Sequence, residues 1–127
     1  MIKSKWVNWN MIIRNTIKNT MLTEDCRIAD SFFSRFMGLM GKKTLKQGAG
    51  LLITPCNSIH MLFMRFPIDA VFLGSGNEAV HIIKGMKPWR LSPIIRKAHS
   101  VLELPEGTVE SSLTEVGDRL ELMKFVK

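Results

Sequence analysis

The stretch Pro55-Cys-Asn-Ser-Ile-His-Met-Leu-Phe-Met-Arg-Phe-Pro-Ile-Asp-Ala-Val-Phe-Leu73 combines short apolar runs with prolines and isolated polar side chains. From Leu51 onward the same pattern recurs: runs with period-two alternation end at Pro or Gly. Such spacing is typical of a sandwich or barrel of short β-strands. The predicted strands, with two before residue 30, are 11–17, 19–28, 51–54, 58–64, 68–73, 79–84, 99–104 and 118–126.

Residues 31–40 are the one segment with a clear helical period. Phe32 and Phe36 lie four residues apart, with further Phe and Met side chains beside them, as on one broad apolar helix face. Asp30 or Ser31 can cap the first turn, and glycines stand at the other end. The sequence therefore predicts a mainly β fold, a single compact β-barrel or jelly-roll-like sandwich with one short helix near residues 31–40.

The length and composition indicate one globular domain. A chain of 127 residues has room for one hydrophobic core. With 46% hydrophobic and 23% charged residues, it is neither disordered nor collagen-like, and two cysteines are too few for a disulfide scaffold. We expect residues 11–127 to form a single β-rich domain, and residues 1–10 to be a poorly ordered N-terminal lead-in.

The positive charge is concentrated in the first half of the chain. The net charge is +7, and residues 1–50 hold nine basic and three acidic side chains. A basic excess attracts anionic partners, but no run of five Lys or Arg residues and no aromatic–basic interleaving occurs, so nucleic-acid binding is not expected. No stretch approaches the roughly 18 to 20 apolar residues of a membrane span. Polar residues between 8 and 15 interrupt any signal-peptide core, so we expect a cytoplasmic location.

Four polar side chains that could take part in catalysis or binding fall within fourteen residues: Cys56, His60, Arg65 and Asp69. Polar groups in an apolar β sequence must be hydrogen-bonded to each other or belong to a site, because their unpaired burial is costly. An imidazole at His60 can take the thiol proton of Cys56. In one continuous strand these two residues would stand about 13 Å apart, so the pair requires a turn. Both the structural network and the catalytic pair remain open.

Three arginines are candidates for binding an anion. The planar guanidinium groups of Arg35, Arg65 and Arg90 match carboxylates and phosphates. The alternative is internal ion pairing, Arg65 with Asp69 and Arg90 with Glu103. Glu103 lies among aliphatic residues on a predicted strand, where it faces either a pocket or solvent.

The histidines do not show the spacing of a metal site. His60, His81 and His99 come from separate strands, and no two of them form an HxH or HxxxH pair. The sequence therefore predicts no metal and no cofactor.

An ordered series of short motifs runs through most of the chain. It comprises Phe36-Met-Gly-Leu-Met40, Gly50-Leu-Leu52, Pro55-Cys-x-x-Ile-His60, Phe63-Met-Arg-Phe-Pro-Ile-Asp69, Val71-Phe-Leu73, Pro88-Trp-Arg90, Val101-Leu-Glu-Leu-Pro-x-Gly107 and Gly117-Asp118. Over about residues 20 to 126 the series resembles the prokaryotic domain-of-unknown-function family numbered 192. The resemblance implies a compact, mostly β domain with the Gly-Leu-Met segment at a short helix. It implies no settled activity. Met61 departs from the family pattern, which often has a small hydroxyl residue after the His.

The leading hypothesis is a binding module for a small or extended anionic ligand, such as a small anionic molecule or a peptide. The ligand would lie in a cleft between the 35–40 helix face and the 56–69 segment. One alternative is an enzyme that uses Cys56 and His60; another is a structural or partner-binding module with no small-molecule site. The candidate ligand-binding residues are Arg35, Cys56, His60, Met64, Arg65, Asp69, Arg90 and Glu103.

Overall fold

The computed structural model of the chain describes residues 9–126. Seven strands and two short helices account for its regular structure, which confirms the mainly β prediction. In chain order they are β1 (Trp9–Asn15), β2 (Thr20–Ala29), α1 (Phe32–Met37), β3 (Ala49–Ile53), β4 (Ile68–Leu73), β5 (Ala79–Met86), β6 (Ser100–Pro105), α2 (Thr108–Ser111) and β7 (Leu120–Val126). Trp9 and Asn10 of the predicted lead-in begin β1, and the rest of that segment lies outside the described residues.

All seven strands belong to one curled sheet in the order β5-β4-β6-β3-β2-β1-β7. Strands β2 and β3 are parallel, joined by the crossover that contains α1, and the other neighbours are antiparallel. The two edge strands approach each other at one end, where Glu78 and Arg119 form an isolated bridge. Backbone hydrogen bonds join the two chain segments there, from Ala79 to Asp118, from Leu120 to Asn77 and from Gly117 to Ala79. No ladder forms between β5 and β7 within residues 9–126, so the fold is compact and sandwich-like rather than a closed barrel.

The central strands β4 and β6 are buried on both faces. Every residue of each strand is buried. Because side chains alternate along a strand, Leu102 and Leu104 point into one core while Val101 points into the other. The first core is centred on Met11, Ile13, Leu22, Cys26, Leu52, Val71, Leu73, Leu102, Leu104, Val109 and Leu120. The second core is centred on Leu39, Leu51, Ile53, Ile59, Met61, Met64, Ile68, Ala70, Phe72, Met86 and Val101.

Helix α1 covers part of the second core and begins where the sequence predicts. Ser31 caps it through a capping box with Ser34, and Gly38, with φ +49°, ends it. The predicted apolar face is not fully buried: Phe33 is 70% exposed and Phe36 is 53% exposed. Six residues give less than two turns, and Leu39, just past the helix, is the side chain that enters the core.

The predicted strand 58–64 is wrong. Residues 57–61 lie instead against residues 89–95 in an irregular pairing, in which His60 forms only an isolated bridge with Leu91. A regular ladder cannot form there because Pro93 has no N–H. The side-chain hydroxyl of Ser92 takes the place of a backbone group and accepts the Ile59 N–H at 2.9 Å.

The buried carboxylate of Asp69, on β4, links this strand to β5 and to the start of α2 by hydrogen bonds. Its Oδ1 accepts the Gly85 N–H at 2.9 Å, and its Oδ2 accepts the N–H groups of Gly107 at 3.1 Å and Val109 at 2.9 Å. The last two bonds hold the first turn of α2, a helix the sequence did not predict because its cap comes from a distant strand. The predicted Arg65–Asp69 ion pair is wrong: Arg65 is exposed, and no salt bridge within residues 9–126 joins them.

Asp69→Asn is expected to destabilise the fold by roughly 1–3 kcal/mol, the usual effect of leaving buried hydrogen-bonding groups unsatisfied. The amide offers one acceptor oxygen, and its NH₂ group faces backbone donors. Urea unfolding measures the change. The matched control is Asp30→Asn at an exposed position, expected to lie within about 0.5 kcal/mol of the parent. Equal stabilities for the two variants would contradict this role for Asp69.

Candidate functional site

A small cavity lies where α1 and the loop after β3 cover the second core. Its volume is about 40 Å³. Since roughly 10–15 Å³ of such space holds one water molecule, it takes a small polar group rather than a whole cofactor. Its walls are Arg35, Phe36, Met37, Gly38, Leu39, Met40, Ile53, Cys56, Ser58, Ile59, His60, Met64 and Glu103.

Five of the eight candidate residues from the sequence line this cavity, namely Arg35, Cys56, His60, Met64 and Glu103. The other three do not. The carboxylate of Asp69 accepts hydrogen bonds from the first turn of α2, and Arg65 and Arg90 are exposed. The predicted Arg90–Glu103 ion pair is wrong, because no salt bridge in the described part of the chain joins them. The structure thus separates one compact group of side chains from the exposed arginines.

Glu103 is the unusual member of this group. It lies in the middle of β6, opposite Leu51 and Ala70 of the two neighbouring strands, so its side chain points into the second core. It is 3% exposed. Its carboxyl group has no hydrogen bond or ion pair with any residue between 9 and 126. Burial raises the pKa of Glu103 to about 8. At neutral pH the carboxyl is therefore mostly protonated, and it can donate a hydrogen bond.

Arg35 brings the positive charge to the same cavity. Its Nη1 donates to the carbonyl of Pro55 at 3.0 Å and its Nε donates to the carbonyl of Ser31 at 3.3 Å. These bonds tie α1 to the loop after β3. A guanidinium has five N–H groups, so three remain for a ligand or water. With Glu103 neutral, Arg35 is the charged side chain in the cavity wall at pH 7.

His60 has both ring nitrogens engaged by backbone groups. Its Nδ1 accepts the Leu62 N–H at 3.2 Å, which places the ring proton on Nε2. Nε2 then donates to the carbonyl of Phe36 at 2.8 Å. The centroids of the His60 and Phe36 rings are 5.3 Å apart. His60 therefore joins the loop to the carboxyl end of α1. It can accept a thiol proton only by giving up one of these bonds.

Cys56 is held as a thiol. Its Sγ donates to the carbonyl of Ser58 at 3.0 Å, and no hydrogen bond to His60 is found in the described part of the chain. Burial raises the pKa of the Cys56 thiol, and the nearby Glu103 raises it further; the Ser58 contact and Arg35 act in the opposite direction without cancelling the increase. A nucleophilic cysteine needs a lowered pKa, so this geometry does not favour a Cys56–His60 catalytic pair.

Most of the apolar lining comes from the 35–40 and 56–69 segments that the sequence predicted, including Met64. Ile53 was not identifiable from the sequence, because it looks like an ordinary core residue there and only the three-dimensional packing shows that it borders a space. Met61, the departure from the family pattern, is fully buried in the second core and does not line the cavity. Within residues 9–126, no three His, Cys, Asp or Glu side chains are grouped as a metal ion would require.

The comparisons with known proteins agree on family and fold. The family model DUF192, described as Uncharacterized ACR, matches residues 13–122. The UPF0127 protein of Pyrococcus furiosus is 37% identical over 117 residues, covering 88% of this chain and 98% of that protein. A UPF0127 protein of Pyrococcus horikoshii is 37% identical over 115 residues, covering 87% and 97%.

Two solved structures have a similar fold. One, from Sinorhizobium meliloti 1021, is described as a "putative transcription regulator"; it is 26% identical, with a TM-score of 0.76 and coverage of 91% of this chain and 94% of that one. The other is a protein of unknown function from Novosphingobium aromaticivorans, 19% identical, with a TM-score of 0.76 and coverage of 88% and 83%, and it supports the fold alone. None of the helices described within residues 9–126 is long and apolar enough to cross a membrane.

Glu103→Gln is expected to change how stability depends on pH. The folded parent keeps the proton up to a pKa of about 8, whereas the unfolded chain releases it near the ordinary 4.5. As the pH rises between these two values, the unfolding free energy of the parent therefore falls, relative to that of the variant, by an amount on the order of 1 kcal/mol per pH unit. Urea unfolding of both proteins at a series of pH values measures this difference. A difference that stays constant between the two pKa values would contradict a neutral buried Glu103.

Cys56 is expected to react slowly with iodoacetamide at neutral pH. Its raised pKa leaves little thiolate, so the rate should lie below that of the urea-unfolded chain and rise steadily with pH beyond the ordinary thiol range. Mass spectrometry separates this reaction from that of Cys26, which is fully buried in the first core. A fast reaction that is already maximal at slightly acidic pH would instead reveal an activated thiolate.

Proposed function

The chain belongs to the DUF192 family, and we propose that it is a binding module that holds the anionic end of a small or extended ligand in the Glu103 cavity. The carboxyl of Glu103 carries this proposal, because it is buried, without a protein partner in the described chain, and part of a cavity wall. In the described chain the fully buried side-chain atoms without a hydrogen-bond partner are Asn10 Oδ1 and Thr108 Oγ1; the Glu103 carboxyl differs from them because it borders a cavity from which a partner can reach it. A ligand that enters the cavity supplies the missing partner.

The charge of the cavity favours an anionic oxygen. Protonated Glu103 offers an O–H donor, and Arg35 offers a cation with free N–H groups. A carboxylate fits between a guanidinium and a neutral carboxylic acid, because both donate to it. An ammonium group is disfavoured, since it would meet Arg35 and no ionised acid. The small volume suits a carboxylate better than a bulky anion.

The surroundings of the cavity fit a ligand whose remaining part is apolar. Leu39, Ile53 and Met64 are among the apolar residues that line the cavity, and Phe36, also in its lining, is exposed and can contact the part of a ligand that extends outside it. A carboxylate with a hydrocarbon body, or the carboxyl terminus of a peptide, has this combination of groups. The catalytic alternative has less support, because the Cys56 thiol is not activated. In a purely structural module, water in the cavity would be the partner of Glu103, and the binding of an added anion distinguishes the two cases.

Acetate, with acetamide as its neutral isostere, is the probe that tests the proposal. In a titration followed by amide NMR at constant ionic strength, acetate is expected to shift the signals around Gly38 and Ile59 in a saturable way, and acetamide is not. Arg35→Gln should abolish the response, whereas Arg90→Gln, at an exposed arginine outside the cavity, should leave it intact. The amide spectra of the free variants confirm that each one folds.

The affinity for acetate is also expected to depend on pH. Above about 8, Glu103 ionises and repels the anion, so the affinity should fall by up to tenfold per pH unit. In Glu103→Gln the amide still donates a hydrogen bond but does not titrate, and this pH dependence should disappear. Equal responses to acetate and acetamide, or an Arg35→Gln variant that binds like the parent, would contradict the proposal.

A further inference from the structure

Two aromatic side chains are presented to solvent by an unfavourable backbone conformation. Phe63 has φ +62° and Trp89 has φ +69°, a region that bulky L-residues rarely adopt. Each is nevertheless 59% exposed, so burial of the ring does not compensate for this conformation. Hydrogen bonds keep both turns in place: the carbonyl of Met61 accepts the N–H of Trp89 at 2.7 Å and that of Met64 at 3.2 Å.

The two rings form one exposed apolar unit. Their centroids are 4.9 Å apart, and the rings meet edge to face at 62°. Leu91, two residues after Trp89, is 70% exposed. We call Phe63 and Trp89, together with their basic neighbours, the aromatic tip. Residues with a strained backbone tend to occur at functional sites, where a side chain must be held in one position. The aromatic tip is therefore a candidate contact surface.

The basic neighbours of the rings form no ion pairs with acidic residues between 9 and 126. Arg65 lies two residues after Phe63, and Lys87 and Arg90 flank Trp89; all three are exposed. No salt bridge in the described chain involves any of them. The aromatic tip therefore combines apolar rings with uncompensated positive charge. This combination is complementary to a surface that is apolar beneath an anionic layer.

Leu113 provides the contrast. It too is exposed and has a positive φ, of +61°. Leu113, however, lines a shallow surface pocket together with two acidic and two basic side chains, whose charges cancel: Glu110, Glu115, Lys18 and Lys84. Exposure and strain alone thus occur elsewhere in the molecule, and the uncompensated positive charge distinguishes the aromatic tip.

We propose that the aromatic tip docks on an anionic phospholipid surface, with Phe63 and Trp89 at the level of the headgroups and Arg65, Lys87 and Arg90 facing the acidic lipids. Trp is enriched at membrane interfaces because its ring is amphipathic. Basic residues are attracted by the negative surface potential of anionic leaflets. Single-stranded nucleic acid is the competing partner, but stacking requires open ring faces, and the edge-to-face contact covers part of one face. The proposal is independent of the cavity.

Sedimentation with vesicles tests the proposal on the full chain. Binding to vesicles of phosphatidylcholine with phosphatidylserine is expected, with little binding to phosphatidylcholine alone. Replacing Arg65, Lys87 and Arg90 by Gln should weaken binding by roughly fivefold per charge. The double variant Phe63→Gln, Trp89→Gln keeps the side chains long but polar, and should weaken binding by at least about tenfold, in proportion to the apolar surface lost. Leu113→Gln should bind like the parent.

The outcomes that overturn the proposal are distinct. Equal sedimentation with both vesicle types, or a Phe63/Trp89 double variant that binds like the parent, would contradict lipid docking by the tip. Retention of an oligothymidylate without vesicle binding would assign the surface to nucleic acid instead. Thermal unfolding of each variant identifies any loss of fold, and the acetate titration, which does not involve the tip, reports separately on the cavity.

Discussion

The burial of β4 and β6 on both faces is the constraint on which the rest of the molecule depends. Strand β6 is paired along both edges, so its backbone hydrogen bonds are used within the sheet. Its side chains alternate between two cores, and a residue between Leu102 and Leu104 must enter the second one. In this chain that residue is Glu103. An acid in this position has a raised pKa and requires either a partner or a space in which a partner can be bound.

The layer over the second core provides that space and its electrostatics. Arg35 and His60 hold α1 against the loop after β3 through bonds to backbone carbonyls, and the cavity lies beneath these clamps. The guanidinium of Arg35 and the neutral carboxylic acid of Glu103 both line this cavity, which gives it a net positive charge and two kinds of donor. The same burial keeps Cys56 protonated. These features support the proposed binding of an anion over nucleophilic chemistry at Cys56.

Local sequence signals were sufficient for the parts of the fold that depend on local contacts. Strand β4 was predicted with its observed bounds, because its apolar run begins after Pro67 and ends at Gly74. Helix α1 follows from its Ser31 capping box. The strand expected at 58–64 failed because its partner segment contains Pro93, a distant residue. The burial of Glu103 depends on what covers one face of β6, and α1 comes from a different part of the chain. The sequence motifs named the candidate residues, but they did not show which of these side chains lie together around one cavity.

The carbon-13 chemical shift of the Glu103 side-chain carboxyl, followed against pH in the folded protein, shows whether this buried acid is neutral in the site. This carboxyl is expected to be neutral at pH 7 and to titrate near 8. Titration near the ordinary value of 4.5 would show that the carboxylate is ionised and solvated. An ionised Glu103 would repel an anion, and this result would contradict anion binding in the Glu103 cavity.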